Sequence, residues 1–230
     1  MHNIIDFLGI IPARKNSKGL KRKNIIKIKN KTLIEYTLSA ASNTKLINKS
    51  FVTSDDKKIL KIASRYKKIL THLRPNNLAL DNTNMKEVIV NLLKSIKKKY
   101  NLVIKNFVVL QPTSPLRNSK DITKAIKTFK KLKCKSLVSV SETFQHPNEM
   151  FFIDKNKKKI KIIKKHKEEN RQNFKKCVFV NGAIYVSNTG HFLKNKKFLT
   201  SKTEFFFMDK KNSIDIDESF DLKIAEAFLK

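Results

Sequence analysis

Two kinds of charged side chain in this sequence could act on phosphate groups, and the first is a pair of carboxylates. Near the C-terminus, Asp215 and Asp217 alternate with isoleucines, so both carboxylates are expected on the same side of an extended segment. Carboxylates that share one face suit Mg²⁺, a hard cation that takes one or two protein carboxylates and completes its shell with water and substrate phosphate. The alternative is an exposed strand end in which Asp217 only caps the last helix.

The second kind is a basic stretch that follows a short apolar run ending at Pro12. Its cations include Arg14, Lys18, Lys21, Arg22 and Lys23. Ser17 and Gly19 allow backbone N–H groups to face phosphate oxygens. A basic loop just past the carboxyl end of a first strand is where open α/β sheets bind an anionic ligand. The Walker spacing is absent and a solvated basic turn is the alternative, but together with the carboxylates the loop suggests metal-assisted nucleotide chemistry.

The apolar pattern predicts the elements that must position these residues. Apolar runs at Phe7–Ile11, Ser50–Thr53, Phe107–Leu110 and Ser136–Ser141 are typical of buried strands, and helical spacing lies between them. The most regular helical pattern begins at Met85. Alternating strands and helices predict an α/β fold, with a mostly parallel twisted sheet, right-handed crossovers and flanking helices.

The alternation fails between Glu142 and Lys176. Two short apolar pieces, Met150–Ile153 and Ile160–Ile163, are separated by a run of lysines, which predicts a two-stranded hairpin with a flanking loop. Such a ribbon is marginal alone, so we expect it to pack on something else, for which a second subunit is one option. The strand pattern then resumes and ends in a helix over Glu218–Leu229, giving a single domain over residues 1–230 with an insertion at 142–176.

Length and composition narrow the class of protein. The 230 residues suit one medium domain with a real core. The net charge of +32 is spread over almost every segment, and the aromatic residues are not interleaved with arginine, so a primary nucleic-acid role is not expected. Cys134 and Cys177 lack metal-ligand spacing and are expected to be reduced thiols. Without a signal segment or a membrane span, we expect a soluble cytoplasmic protein with no membrane partner.

Four motifs, in order, closely resemble those of the acylneuraminate cytidylyltransferases, also called CMP-sialic acid synthetases, including members of the legionaminic acid type. They are Ile10–Asn24, Leu110–Arg117, Asn181–Tyr185 and Ser213–Asp217, and the resemblance covers nearly the whole chain. It implies the nucleotide-diphospho-sugar-transferase-like, Rossmann-like α/β fold with an inserted dimerisation region, and therefore a homodimer. It also implies Mg²⁺-dependent transfer of CMP from CTP to the anomeric hydroxyl of a nonulosonic acid, with release of pyrophosphate.

The resemblance assigns roles residue by residue. The catalytic residues it implies are Lys23, Asp215 and Asp217, of which the two aspartates also bind the metal. The implied nucleotide-binding residues are Arg14, Ser17, Lys18, Asn24, Arg74 and Asp81. The implied sugar-binding residues are Gln111, Arg171, Asn181 and Tyr185.

This sequence departs from the pattern of the sialic acid enzymes at a few positions, and the departures bear mainly on which sugar is used. Phe179 stands where they commonly have a second arginine, Lys21 replaces a proline, and residues 82–85 replace a hydroxyl-rich segment. Transfer chemistry therefore stays expected, while legionaminic acid or another bacterial nonulosonic acid, such as pseudaminic acid, competes with N-acetylneuraminate.

Two further readings stay open at this point. One is the same chemistry on another keto-sugar acid, and the other is a non-catalytic protein that binds nucleotides or polyanions on a decayed transferase fold. Retention of Lys23, Gln111 and both aspartates together argues against decay.

Overall fold

The computed structural model describes residues 3–17, 19–154, 156, 158–162 and 170–229; for residues 3, 159–162 and 171 it describes the backbone alone. The strands are β1 (Asn3–Pro12), β2 (Lys27–Ile28), β3 (Lys31–Thr32), β4 (Lys49–Ser54), β5 (Ile69–Leu73), β6 (Leu102–Leu110), β7 (Ser136–Glu142), β8 (Phe151–Ile153), β9 (Lys159–Ile162), β10 (Val178–Asn188) and β11 (Glu204–Phe207). The helices are α1 (Leu33–Ser42), α2 (Lys57–Ala63), α3 (Met85–Tyr100), α4 (Ser119–Lys131), α5 (Thr189–Asn195) and α6 (Ser219–Phe228).

Seven strands form one mixed sheet in the spatial order β11-β7-β10-β6-β1-β4-β5. Strand β1 lies inside the sheet and is parallel to both of its neighbours, β4 and β6. Strand β10 runs against both β6 and β7, whereas the outer pairs β4–β5 and β7–β11 are parallel. The predicted α/β fold with a mostly parallel sheet is confirmed.

The central strands are buried on both faces because helices cover both sides of the sheet. Along β1, Phe7 and Ile11 point into an apolar cluster under α1, α2 and α4. The alternating residues Leu8 and Ile10 point into a second cluster under α3 and α5. A strand covered on both faces reads as a continuous apolar run, which is why the sequence shows these strands so clearly.

Helix α3 spans Met85–Tyr100, as its apolar spacing predicts. The side chain of Asn84 caps its N-terminus by accepting a hydrogen bond from the backbone N–H of Lys86. At the other end, Asn101 adopts the left-handed conformation (φ 50°) that commonly ends a helix. The cap places the first turn of α3, with Met85, beside the carboxyl ends of the strands.

The predicted hairpin is present as β8 and β9, which pair antiparallel and form a ribbon separate from the main sheet. Phe152 and Ile153 of β8 are 56% and 60% exposed. Because successive residues of a strand point to opposite faces, neither face of the ribbon is covered at these positions.

Strand β10 is the main departure from the pattern expected from sequence. The two predicted apolar pieces, Cys177–Val180 and Ala183–Val186, merge into one long strand that begins at Val178 and whose register shifts between Val180 and Tyr185. Gly182 lies within this irregular part with φ of 75°, a conformation that glycine adopts easily. In the described part of the chain, no helix combines the length and apolarity needed to cross a membrane.

Candidate active site

A cleft of about 380 Å³ opens at the edge of the sheet where the parallel strands end. Its wall contains Pro12 at the end of β1, Arg74 directly after β5, and Gln111 directly after β6. Ligands of open α/β sheets bind at this edge. Many of the residues singled out from sequence line the cleft: Arg14, Ser17, Lys23, Asn24, Arg74, Asp81, Gln111 and Asp217. Lys18 lies outside the described residues.

The basic loop after β1 is held in place by its own side chains. The amide nitrogen of Asn24, which is only 6% exposed, donates to the backbone carbonyl of Arg14 at 2.8 Å. Arg22 adopts a left-handed conformation (φ 57°) and its guanidinium pairs with Asp56 at 3.1 Å. These contacts curl the loop so that both of its ends face the cleft, and Asn24 supports the loop while it lines the site.

Lys23 connects the basic loop to the acidic segment near the C-terminus. Its Nζ donates to a carboxylate oxygen of Asp217 at 2.8 Å and to the carbonyl of Ile216 at 2.6 Å. The lysine side chain is 8% exposed, whereas that of Asp217 is 81% exposed. The aspartate therefore keeps much of its surface free toward the cleft while neutralising a buried cation, which would be costly without a partner.

Gly19 allows the basic loop to lie directly on this acidic segment. A Cβ atom added at Gly19 would lie 2.3 Å from the backbone carbonyl oxygen of Asp217. A backbone atom cannot rotate away as a side chain does, so any larger residue must move the two segments apart.

We therefore expect Gly19→Ala to lower kcat/KM of the reaction at this cleft by about 100-fold, because a displacement of roughly 1 Å between groups that must align can cost that much. Gly190→Ala is the matched control, since a Cβ there meets nothing closer than 3.5 Å. Steady-state kinetics of both variants would measure this loss of kcat/KM. Equal rates for Gly19→Ala and Gly190→Ala would show that the loop tolerates displacement.

Asp215 and Asp217 lie on the same extended segment, with Ile216 fully buried between them. The backbone N–H of Ile216 donates to the carbonyl of Thr113, which fixes the segment beside the cleft. Asp215 is half-buried, and its Oδ1 has no hydrogen-bond partner among the described residues. Burial is the main reason that its pKa is raised; the Thr113 hydroxyl opposes this shift and the charge of Asp217 adds to it.

The alternative role considered for Asp217, as a helix cap, is wrong. Glu218 holds the N-cap position of α6. The carboxylate of Asp221 accepts hydrogen bonds from the backbone N–H groups of Asp217 and Glu218, both at 2.9 Å. The side chain of Asp217 therefore contacts Lys23 and lines the cleft.

Two arginines add further positive charge to the lining of the cleft. Arg74 is 5% exposed and donates to the carbonyl of Thr53 at 2.8 Å. Burial lowers the pKa of Arg74 to about 10; Asp55 opposes the shift and nearby Arg14 adds to it. Arg14 pairs with Asp81 at 2.8 Å. Cations that repel one another in this way favour an anionic ligand between them.

A second cavity of about 290 Å³ adjoins the cleft and shares Met85 with it. Tyr185 of β10 lines this cavity and packs against Phe198, with 4.8 Å between ring centroids. Burial raises the pKa of Tyr185, and the negative charge of Asp215 adds to the effect. The other lining residues are Asn84, Lys86, Lys196, Lys197 and Leu199.

The environment of Asn181 differs from the predicted contact with a sugar. Its side chain is 3% exposed, and its oxygen accepts from the Ser139 hydroxyl at 2.5 Å and from the backbone N–H of Ala183 at 3.1 Å. Its nitrogen donates to the Ser213 hydroxyl at 2.8 Å. With these bonds made inside the protein, Asn181 ties β10 to the segment that carries the aspartates instead of facing the cleft.

Two other positions were expected to influence binding of the sugar, Arg171 and Phe179. The backbone of Arg171 lies in a short 3₁₀ helix, Arg171–Asn173, and its side chain is outside the described atoms. Phe179 pairs with Ser141 near the start of β10 and is 39% exposed. Over the described part of the chain, Phe179 lines neither of the two cavities.

The family model described as "Cytidylyltransferase" matches residues 8–227, which include the whole cleft. The chain belongs to the cytidylyltransferase family. The match confirms the family that the sequence motifs indicate.

Named relatives agree with this family. An N-acylneuraminate cytidylyltransferase of Escherichia coli O18:K1:H7 is 34% identical over 95% of this chain and 51% of its own. The chain therefore spans about half the length of that relative. A CMP-N,N'-diacetyllegionaminic acid synthase of Legionella pneumophila is 30% identical over 97% of this chain and 96% of its own.

A solved structure shares the fold of this cytidylyltransferase. It is a CMP:2-keto-3-deoxy-manno-octonic acid synthetase complexed with CTP, which superposes with a TM-score of 0.70 over 96% of this chain and 97% of the other. The sequence identity is only 13%, so this similarity concerns the fold alone.

Sequence reasoning assigned no role to Arg117, whose side chain proves to be 1% exposed and directly behind the cleft. The motif Leu110–Arg117 contains the residue, but a basic residue after a proline-rich loop ordinarily faces solvent. The lysines and Phe198 of the second cavity were likewise missed, because nothing in the local sequence indicates that they face Tyr185.

Proposed function

We propose that this cytidylyltransferase transfers CMP from CTP to the anomeric hydroxyl of a nonulosonic acid and releases pyrophosphate. The observation that carries the proposal is the meeting of the basic loop and the acidic segment at one cleft, where Lys23 and Asp217 both line the cavity and contact each other at 2.8 Å. The relatives named above act on acids of this class according to their names.

The cleft is suited to the triphosphate of CTP. Arg14, Lys23 and Arg74 all line the cleft, so positive charge borders the space proposed for the phosphates. Ser17 and Gly19 line the same space, where backbone N–H groups could face phosphate oxygens. Charge-assisted hydrogen bonds of this kind hold phosphates firmly and in a fixed orientation.

The acidic pair fits a Mg²⁺ ion. Asp215 has a carboxylate oxygen without a partner among the described residues, and most of the Asp217 side chain is exposed. No group of three or more His, Cys, Asp or Glu residues close enough to hold a metal exists within the described ranges. A cation that takes only one or two protein carboxylates therefore suits the site better than one that needs a full protein cage. Bound there, Mg²⁺ would supply positive charge beside the phosphates.

The second cavity is suited to the acceptor acid because it adjoins the cleft and combines positive charge with apolar surface. Lys86, Lys196 and Lys197 can attract a carboxylate, and Phe198 and Leu199 offer contacts to the less polar groups of the sugar. Met85 is shared by the two cavities and Gln111 lines the cleft with it, so the acceptor hydroxyl would meet the α-phosphate beside these two residues.

In the proposed reaction the anomeric oxygen attacks the α-phosphorus in line. The bond from that phosphorus to the oxygen of the β-phosphate breaks, and pyrophosphate leaves with the negative charge. Lys23 is placed to stabilise this charge, since preorganised cations help most where charge develops.

The test is an assay with purified protein, CTP, Mg²⁺ and a panel of nonulosonic acids that follows pyrophosphate release. We expect release to depend on both substrates and the product to be a CMP-sugar. The panel should include legionaminic, pseudaminic and N-acetylneuraminic acids together with 3-deoxy-manno-octulosonic acid. Tight CTP binding with no release for any acid would favour a non-catalytic nucleotide-binding protein.

We also propose that the protein is a homodimer that acts in the cytoplasm, and that the hairpin of β8 and β9 forms the subunit contact. A two-stranded ribbon with exposed apolar side chains on both faces is marginal alone and needs a surface to cover it. Phe144, in the segment before the ribbon, is also 70% exposed.

Sedimentation equilibrium should give about twice the chain mass of 26.7 kDa for the intact protein. Replacing Phe152 and Ile153 by serine should produce a monomer, because it removes the apolar side chains that a partner would cover. Phe220→Ser is the matched control, since Phe220 is 65% exposed but lies on α6. An intact protein that is monomeric at micromolar concentration would contradict the proposal, as would a Phe152/Ile153 variant that stays dimeric.

A further inference from the structure

Arg117 is a fully buried cation whose role in the cleft has not been assigned. Its side chain is 1% exposed. Among the described residues, its hydrogen-bond acceptors are all neutral: two backbone carbonyls and one hydroxyl. Burial lowers the pKa of Arg117 to about 9, although the negative charges of Asp121 and Asp215 oppose the shift. A buried charge with neutral partners is a costly arrangement, so its geometry needs an explanation.

The two carbonyls lie where strands β6 and β10 separate. The antiparallel ladder between these strands ends with the pair of Leu110 and Ile184. One residue beyond it, the carbonyls of Gln111 and Ala183 both accept a hydrogen bond from the same nitrogen of Arg117, each at 3.0 Å. Buried carbonyls at a point where strands part lose their ladder partners, and the guanidinium supplies the missing donors.

A third contact ties this point to helix α1. The other terminal nitrogen of Arg117 donates to the Thr37 hydroxyl at 2.6 Å. That hydroxyl itself donates to the carbonyl of Gln111 at 3.4 Å. The carbonyl of Gln111 is thus held from two sides, and its backbone cannot shift without breaking both contacts.

The residue held in this way lines the cleft together with Met85, the residue that the two cavities share. Gln111 lines the cleft, and its side-chain oxygen lies 3.5 Å from the point that a Cβ on Gly182 would occupy. The opening between β6 and β10 is therefore the space that the Gln111 side chain uses. Arginine suits this place better than lysine, because its planar fork can serve three acceptors in fixed directions.

We propose that Arg117 is a positioning residue that fixes Gln111 in the orientation needed to bind the acceptor acid. Arg117 acts on the reaction through Gln111 and touches neither substrate. This inference rests on the proposed function, since it assigns Gln111 to the acceptor and not to CTP.

The first test is Arg117→Lys, which keeps the positive charge but removes the planar guanidinium group that serves three acceptors. We expect KM for the acceptor acid to rise about 10-fold with kcat little changed, because Gln111 contributes to binding before and during the transfer alike. The dissociation constant of CTP, measured by calorimetry, should stay within about twofold of the wild-type value. Thr37→Val, which removes only the hydroxyl, should change KM in the same direction by a smaller factor.

Phe129→Leu is the matched control for lost stability, because Phe129 is buried in α4 and lines neither cavity in the described structure. It should lower the melting temperature without raising KM for the acceptor. If Arg117→Lys does not yield folded protein, Thr37→Val and the same control test the proposal. Equal losses of CTP and acceptor binding in Arg117→Lys would overturn it, and so would wild-type kinetics.

A double-mutant cycle tests whether Arg117 works through Gln111. Gln111→Ala alone should raise KM for the acceptor, and adding Arg117→Lys should raise it no further. Effects that multiply would show that the two residues act independently and would overturn the proposal.

Failure of the proposed function can be told apart from failure of this inference. If the wild-type protein releases no pyrophosphate with any acid, the proposed function is wrong. Hydrogen exchange then tests the contacts of Arg117: the backbone amides of Gln111, Thr113, Ser114 and residues 182–184 should exchange faster in Arg117→Lys than in Phe129→Leu. Equal exchange rates in these segments would overturn the positioning role.

Discussion

Asp217→Asn is expected to abolish turnover while the protein stays folded. The substitution keeps the size of the side chain but removes a charge that both Lys23 and the proposed Mg²⁺ need. The side chain is 81% exposed, so its replacement disturbs no packing. Lys23 keeps its 2.6 Å contact with the carbonyl of Ile216, which limits the destabilisation.

Pyrophosphate release at saturating CTP and Mg²⁺ measures the effect, and thermal unfolding shows whether the fold is retained. Asp209→Asn is the matched control, because it removes an exposed carboxylate from the same part of the chain but outside the cleft. We expect the control to keep its activity. A rate for Asp217→Asn close to that of wild type would remove Asp217 from the proposed metal site.

Lys23→Met is expected to lower kcat by about 10²–10³-fold, the usual cost of losing one preorganised contact to developing charge. Methionine retains the apolar stem of the buried lysine, so the change removes the ammonium and little packing. The effect should fall on kcat, because negative charge grows on the leaving pyrophosphate as the reaction proceeds.

Lys21→Ala provides the comparison for Lys23→Met, since Lys21 belongs to the same loop but is exposed and lies outside the lining of the cleft in the described residues. A Lys23→Met variant with a weaker CTP affinity and an unchanged kcat would mean that the lysine binds the nucleotide without assisting transfer. Adding Asp217→Asn to Lys23→Met would show whether the two side chains act as one unit, in which case their effects do not multiply.

These two residues also show why the site forms only in the folded chain. Lys23 and Asp217 are 194 positions apart in sequence, yet their charged atoms are 2.8 Å apart. The approach depends on Gly19, whose lack of a side chain leaves room for the carbonyl of Asp217. The motifs in the sequence name both residues, but their contact requires the C-terminal segment to cross over the first loop.

By itself the sequence determined the α/β class and the location of the site. Strands buried on both faces appear as apolar runs, and helices on their surface appear as spaced apolar residues, so the order of elements was readable. Because ligands of open α/β sheets bind past the carboxyl ends of the strands, the basic stretch after Pro12 could be assigned to the binding edge from the sequence alone.

The tertiary structure alone decided which side chains face the cleft and which support them from behind. Asn181 looked like a sugar contact, but all its bonds lie inside the protein, and Arg117 looked like a loop residue, but it holds Gln111 from behind. Both outcomes follow from the reversed strand β10, which parts from β6 beyond Leu110 and leaves buried polar groups that need partners. A local pattern cannot reveal this, because strand direction and the pairing of buried polar groups depend on residues far apart in the chain.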